Sequence, residues 1–343
     1  MLKPGSTDFL SNASVLITGG TGSLGVTLTK LLLEKFRVRK IIIFSRDEYK
    51  QLQMRHTIAD PETRVRYFLG DVRDPDRLRR AFEGVDYIIH AAALKQVPAA
   101  EYDPFEFIKT NVVGAENVIT AALDLGVKHV VALSTDKAAN PINMYGATKL
   151  CSDKLFVAAN SYSGLKPTRF AVVRYGNVLC SRGSVVPFFQ AMRLTGALPV
   201  TDKRMTRFWI TIAQAACAVL NTLRDMYGGE VFVPKLPSMR IVDLAQAIGP
   251  ECELREIGIR PGEKLHEVMV PLESARATVE FPDHYVITPD LHRMTRDIYL
   301  AKGKLCSEDF QYSSDRNDQW LSPEDLRKSI EEHESSHIRV EGW

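Results

Sequence analysis

Cysteine is too scarce and too scattered in this chain to staple a fold. The five present (Cys151, Cys180, Cys217, Cys252 and Cys306) are odd in number and form no CxxC pair. That pattern argues against a disulfide framework and a zinc site, so no metal is expected, and a reducing cytoplasm suits it best. Long hydrophobic runs are missing too, since no apolar stretch reaches the roughly 18 residues of a membrane span. The N-terminus MLKPGSTDFLSNAS has Pro, Gly and Asp where a signal peptide keeps its apolar segment. A soluble protein with no membrane partner is therefore expected. Charge of one sign is not in excess: 44 basic and 42 acidic side chains leave a net +2. This gives no polyanion-binding surface, and nucleic acid is not an expected partner. Repeats and low-complexity tracts are lacking, and the densest charge clusters, KFRVRK at 35–40 and EEHESSH at 331–337, are short enough to be solvated. What is there is a globular composition, 45% hydrophobic and 25% charged over 343 residues, with room for two lobes.

From Ser14 to about Arg174, short β-branched runs (SVLIT, KIIIFS, RVRYFLG, DYIIHAA, HVVALS, FAVVR) alternate with helix-length segments. Continuous apolar strands separated in this way predict βαβ units around a parallel sheet buried on both faces. The expected fold class is α/β, a Rossmann-type doubly wound parallel sheet with a smaller α/β substrate-binding lobe. Asp74 and Asp103, each followed by Pro, mark helix starts. Beyond Arg174, Pro and Gly break the rhythm. We assign residues 1–175 and about 211–234 to the first lobe, and 176–210 and 235–343 to the second, ending in a helix capped by Ser322.

LITGGTGSLG places Gly19, Gly22 and Gly25 in a GxxGxxG spacing after the first strand, with Thr21, Ser23 and Leu24 between them. Small residues let the backbone approach a pyrophosphate, and the helix N-terminus offers it free N–H groups. About twenty residues on, where an NAD-selective site keeps an acid, stand Ser45 and Arg46, which suit a 2'-phosphate and favour NADP. Asp71 is expected to accept from the adenine amino group, and Val72 to pack on the ring. HAAALK supplies a floor under the nicotinamide ribose through Ala91 and Ala93, with Lys95 reaching the nicotinamide or the sugar. His90, ending an apolar strand, reads as a satisfied core histidine.

The stretch STDKAANPINMYGATK puts Tyr145 and Lys149 one helical turn apart, downstream of Thr135, Asp136 and Lys137. With the glycine loop ahead of it, this resembles the extended short-chain dehydrogenase/reductase superfamily. The blocks SRDE, GDVRD, HAAALKQVPAAEYDP, RYGNV, SRGSVVPFF, RMTRFWIT, FVPKLPSM, GIRPGEKLHE and NDQWL are similar to the inverting UDP-N-acetylglucosamine 4,6-dehydratases of the polysaccharide biosynthesis protein family. The dTDP-glucose 4,6-dehydratases carry Thr-Asp-Glu where this chain has Thr135-Asp136-Lys137.

The resemblance implies Tyr145 as acid/base for a carbinol proton and Lys149 as its ribose-holding partner, lowering the phenol's pKa. It implies Asp136 as general acid and Lys137 as base, the latter with a pKa lowered by burial beside NADP and Lys149. For the substrate, UDP-N-acetylglucosamine, it implies Asn177, Ser184, Val185, Arg207, Arg260 and Glu263, with the two arginines on the diphosphate. Phe188, Phe189 and Phe208 read as core, one of them a candidate to pack on uracil. A homo-oligomer, as a hexamer, and a role at the start of pseudaminic acid synthesis for flagellin glycosylation are implied in the same way. A UDP-sugar epimerase, a multifunctional dehydratase/epimerase and a non-catalytic NADP-sensing module stay open as alternatives.

Overall fold

The computed structural model describes residues 8–181, 184–289 and 293–338, together with residue 2. The opening MLKPGST, apart from Leu2, and residues 182–183 of the SRGSVVPFF block lie outside the described residues, as do the side chains of EEHESSH from residue 333 on. Strands β1 (Ser14–Thr18), β2 (Lys40–Ser45), β3 (Val65–Leu69), β4 (Tyr87–His90), β5 (His129–Thr135) and β6 (Arg169–Tyr175) are the six expected apolar runs. They pair in parallel in the order β3-β2-β1-β4-β5-β6. The helices between them are α1 (Ser23–Lys35), α2 (Glu48–Thr57), α3 (Pro75–Phe82), α4 (Val97–Tyr102), α5 (Pro104–Phe107), α6 (Gly114–Asp124) and α7 (Met144–Ala159). Asp74 caps α3 as its sequence signals, its carboxylate accepting from the Arg77 N–H, with Pro75 filling the first turn. All five β1 residues are buried, as expected of a strand with helices on both faces.

Strand order reverses between β1 and β4. Such a switch point opens a crevice beyond the carboxyl ends of the strands, where α/β sheets of this kind take their ligands. The glycine loop follows β1, the HAAALK loop follows β4, and the Asp136–Ala138 turn follows β5.

The lobe boundary differs from the expected one. Among the described residues the sheet has ten strands: Val231–Pro234 joins β6 in parallel, and His284–Ile287, Thr278–Glu280 and Lys304–Leu305 add antiparallel strands beyond it. The strands Thr278–Glu280, His284–Ile287 and Lys304–Leu305 thus extend the sheet of the first lobe, although their sequence had assigned them to the second. Short antiparallel runs such as TVE and HYVI carry too few residues to show which sheet they will join. A second, smaller core holds Val186, Phe189, Leu198, Trp209, Leu244 and Leu326, drawn from the helices Val185–Arg193, Ile241–Ile248 and Pro323–Ile338, the strand Thr206–Ile210 and the strand Ala197–Val200, which pairs with Glu253–Glu256. Among the described residues, no helix is long and apolar enough to cross a membrane and no cluster of side chains is built to hold a metal ion. Among the described residues no cysteine is joined in a disulfide.

Candidate active site

The cofactor loop is shaped by what its residues lack. Gly19 has φ +64°, and a Cβ there would lie 2.9 Å from the backbone of Ala92, so the loops after β1 and β4 touch at this point. A Cβ on Gly25 would run into the Gly20 carbonyl. Gly22 sits at the N-cap of α1 and supplies no side chain to its first N–H groups. Together these leave a bare helix N-terminus flanked by Thr21, Ser23 and Leu24, a cradle that fits a pyrophosphate. The Thr18 hydroxyl ties the two loops together, accepting from the Ala92 N–H at 3.2 Å and meeting His90 Nδ1 at 2.8 Å. Burial, with the Lys149 charge behind it, pushes His90 down to about 3, so the ring is neutral and structural as expected.

At the end of β2, Ser45 bonds the Thr21 hydroxyl at 2.9 Å, while the Arg46 side chain is 56% exposed and 3.8 Å from Asp71. Asp71 is not the free adenine acceptor its place suggested: both its oxygens accept from Arg73, which the sequence reading had not weighed. Val72 is buried against Gly114, and its carbonyl accepts from Asn117. Ala91 is half-buried and Ala93 exposed. Asn111 holds the HAAALK loop in place, accepting from the Leu94 N–H and donating to the Leu94 carbonyl, both at 2.9 Å. Partial desolvation, helped by Lys137, pulls the Lys95 ammonium below its usual range.

The chemical groups meet at the end of β5. Asn143 caps α7 through the Gly146 N–H, which starts the helix in time to place Tyr145 and Lys149 on one face, both buried. Gly146 is glycine because a Cβ there would strike the Lys137 carbonyl, so the Asp136–Ala138 turn can lie directly on α7. Asp136 is wholly buried; its Oδ1 accepts from Thr135 at 2.9 Å and pairs with Lys137 Nζ at 3.0 Å. Its Oδ2 is buried without a hydrogen-bond partner among the described residues. Lys137 also donates to Asn177 Oδ1 at 3.4 Å and lies 3.5 Å from Glu267.

Two electrostatic expectations are corrected here. Burial would lower the Lys137 ammonium, but Asp136 and Glu267 outweigh it and hold it above the ordinary lysine range, not near neutrality. Tyr145 is pushed up to about 12 by burial, only partly offset by Lys137 and a hydrogen bond with Thr135. The protein's own groups therefore raise the phenol instead of lowering it. Lys149 is lowered by burial, with Asp153 acting in the opposite direction. Asp153 accepts from Ser134 at 2.7 Å and pairs with buried Arg174 at 3.0 Å.

The second lobe meets this turn through the segment after Arg260. Asn143 donates to the Gly262 carbonyl at 2.7 Å, and Lys264 to the Ala139 carbonyl at 2.6 Å. Arg207 is not an open diphosphate fork. It is 6% exposed and donates to the carbonyls of Thr206, Leu265 and Lys264, with Glu267 3.8 Å away. Arg260 and Glu263 are hydrogen-bonded to each other, Arg260 exposed and Glu263 half-buried. Ser184 and Val185 open the helix Val185–Arg193, and the Ser184 hydroxyl is buried without a partner among the described residues. Phe189 and Phe208 are core as expected, whereas Phe188 is 42% exposed. Sequence reasoning missed Asn111, Asp153, Arg174, Lys264 and Glu267. Of these, Asp153 stands one helical turn past Lys149, a signal that spacing alone could have supplied.

With this geometry in view, comparisons with known proteins align closely. An inverting UDP-N-acetylglucosamine 4,6-dehydratase of Campylobacter jejuni subsp. jejuni serotype O:2 is 53% identical over 325 residues, covering 92% of this chain and 97% of its own. A UDP-glucose 4-epimerase of Rickettsia felis is 40% identical over 299 residues, covering 85% and 87%. Among solved structures, Pen from Bacillus thuringiensis superimposes with a TM-score of 0.85 at 35% identity, over 94% of this chain and 99% of that one. Residues 15–289 match the polysaccharide biosynthesis protein family. The chain belongs to the polysaccharide biosynthesis protein family.

Proposed function

We propose that this chain catalyses the inverting 4,6-dehydration of UDP-N-acetylglucosamine with NADP as a resident cofactor. The observation that carries this reading is the ion pair of buried Asp136 with half-buried Lys137 beside Tyr145. A sugar 4-epimerase needs an acid/base for one hydroxyl; an acid and an amine added next to it suit the removal of water. The 53% identity to a dehydratase of that name supports the choice of substrate.

The Gly19–Gly25 cradle would hold the cofactor's pyrophosphate, with Ser45 and Arg46 at the adenine ribose and Lys149 at the nicotinamide ribose. When bound, the oxidised nicotinamide supplies a reversible hydride acceptor that adds positive charge near the phenol. Tyr145 takes the proton of the 4-hydroxyl as carbon 4 becomes a ketone, which makes the proton on carbon 5 acidic. The Asp136–Lys137 ion pair becomes reactive through one internal proton shift. Moving a proton from the ammonium to the carboxylate turns Lys137 into a base and Asp136 into an acid together. Lys137 then removes the carbon 5 proton and Asp136 protonates the departing 6-hydroxyl. Water leaves with the Asp136–Lys137 pair ionised again; carbon 6 would then receive back the hydride taken from carbon 4, and a proton added to carbon 5 on the opposite face would complete the 4-keto-6-deoxy product.

In this reading Asn177, Arg260 and Glu263 would meet the nucleotide portion and Lys95 the sugar. In the same reading the active species is a homo-oligomer, a hexamer, and the product enters pseudaminic acid synthesis. Proton NMR of the protein mixed with UDP-N-acetylglucosamine in deuterated buffer tests the reading. A new 6-methyl signal, deuterium at carbon 5 and L-arabino couplings are expected. An intact carbon 6 with inversion elsewhere would replace the dehydratase with an epimerase.

A further inference from the structure

Glu267 is 2% exposed, yet neither the Tyr145–Lys149 pair nor the Asp136–Lys137 pair requires it. Its Oε1 lies 3.5 Å from Lys137 Nζ and 3.8 Å from Arg207 Nε, and its Oε2 lies 3.8 Å from Lys264 Nζ. Oε2 has no hydrogen-bond partner among the described residues. The backbone fixes the carboxylate's origin: the Glu267 N–H donates to Ser314 Oγ at 2.9 Å, and its carbonyl accepts from the Ser314 N–H at 2.8 Å. One buried carboxylate thus faces the catalytic turn of the first lobe on one side and two cations of the second lobe on the other.

We propose that Glu267 is a positioning residue that clamps the 260–267 segment onto the catalytic turn and sets how readily Lys137 gives up its proton. The second half of this proposal rests on the reading of Lys137 as a base. Several groups face Lys137: Asp136 on its own turn, Glu267 and Arg207 from the second lobe, Tyr145 from α7 and Lys95 from the loop after β4. Glu267 itself is shared among Lys137, Arg207 and Lys264. A carboxylate beside an ammonium favours the charged form, so removing Glu267 lowers the lysine's pKa. Lys264 draws on the same carboxylate and repels Lys137, so removing its charge raises that pKa. The two changes act in opposite directions, which a general loss of packing does not produce.

The test is the acetylation of Lys137 by limiting acetic anhydride at about pH 9, mapped by mass spectrometry against the 63% exposed Lys203. Glu267→Gln is expected to raise the Lys137 ratio roughly tenfold, since a nearby charge shifts a pKa by about one unit or more. Lys264→Gln is expected to lower it. A merely structural role would slow turnover without moving the two labelling ratios in opposite directions. Labelling ratios that stay at the wild-type value in both variants, or move the same way in both, overturn the proposal. If the dehydratase reading itself is wrong, the wild-type chain makes no 4-keto-6-deoxy product while the labelling ratios still decide the clamp.

Discussion

The glycine loop after β1 and the charged pocket after β5 open at the same end of one sheet, yet they work by opposite means. In the loop, function depends on space: Gly19 meets Ala92 and Gly25 meets Gly20 at distances that leave no room for a side chain. In the pocket it depends on which charges meet, with Asp136, Lys137, Glu267, Arg207 and Lys264 gathered from three separated stretches of chain. Adding an atom should damage the first region and removing one should damage the second. The two kinds of damage should appear in different measurements.

Tyr145→Phe gives the largest expected effect. Loss of the acid/base should lower kcat by about 10³-fold with cofactor affinity nearly unchanged, measured by product formation beside a binding titration. Gly25→Ala should do the reverse, weakening dinucleotide binding by roughly 100-fold, because the added methyl must push the loop off the helix N-terminus. Equal losses in both measurements for either variant would break the comparison. Arg46→Ala sharpens it within the loop region. Affinity for NADP should fall by about tenfold or more while that for NAD holds, the loss expected for one charge-assisted contact. Asn143→Ala is the smallest. Removing the α7 cap and the bond to Gly262 should cost about 1–2 kcal/mol of stability, seen as a lower midpoint in thermal unfolding.

The same contrast explains what could be read in advance. The six parallel strands, the glycine loop and the Tyr145–Lys149 spacing were legible because each is written in consecutive residues: apolar runs, small residues at a turn, a four-residue step. The inward turn of Arg207 and the pairing of Asp71 with Arg73 were not. Both depend on partners that only folding brings near or that compete locally for the same carboxylate. Lys137 shows the limit most plainly. Burial alone predicts a lowered ammonium, but Glu267, 130 positions away in sequence, helps to reverse the sign. The strands Thr278–Glu280, His284–Ile287 and Lys304–Leu305 escaped for a related reason, since such short strands acquire an address only from the sheet edge they extend.

The central claim is that Lys137, paired with Asp136, separates dehydration from simple oxidation at carbon 4. Lys137→Met mixed with UDP-N-acetylglucosamine and NADP, followed by the near-ultraviolet absorbance of reduced nicotinamide and by NMR, tests it most directly. The account predicts that reduced cofactor accumulates on the protein, because Tyr145 and Lys149 still act, while no 6-methyl signal forms. A 6-methyl signal growing at the wild-type rate would contradict it.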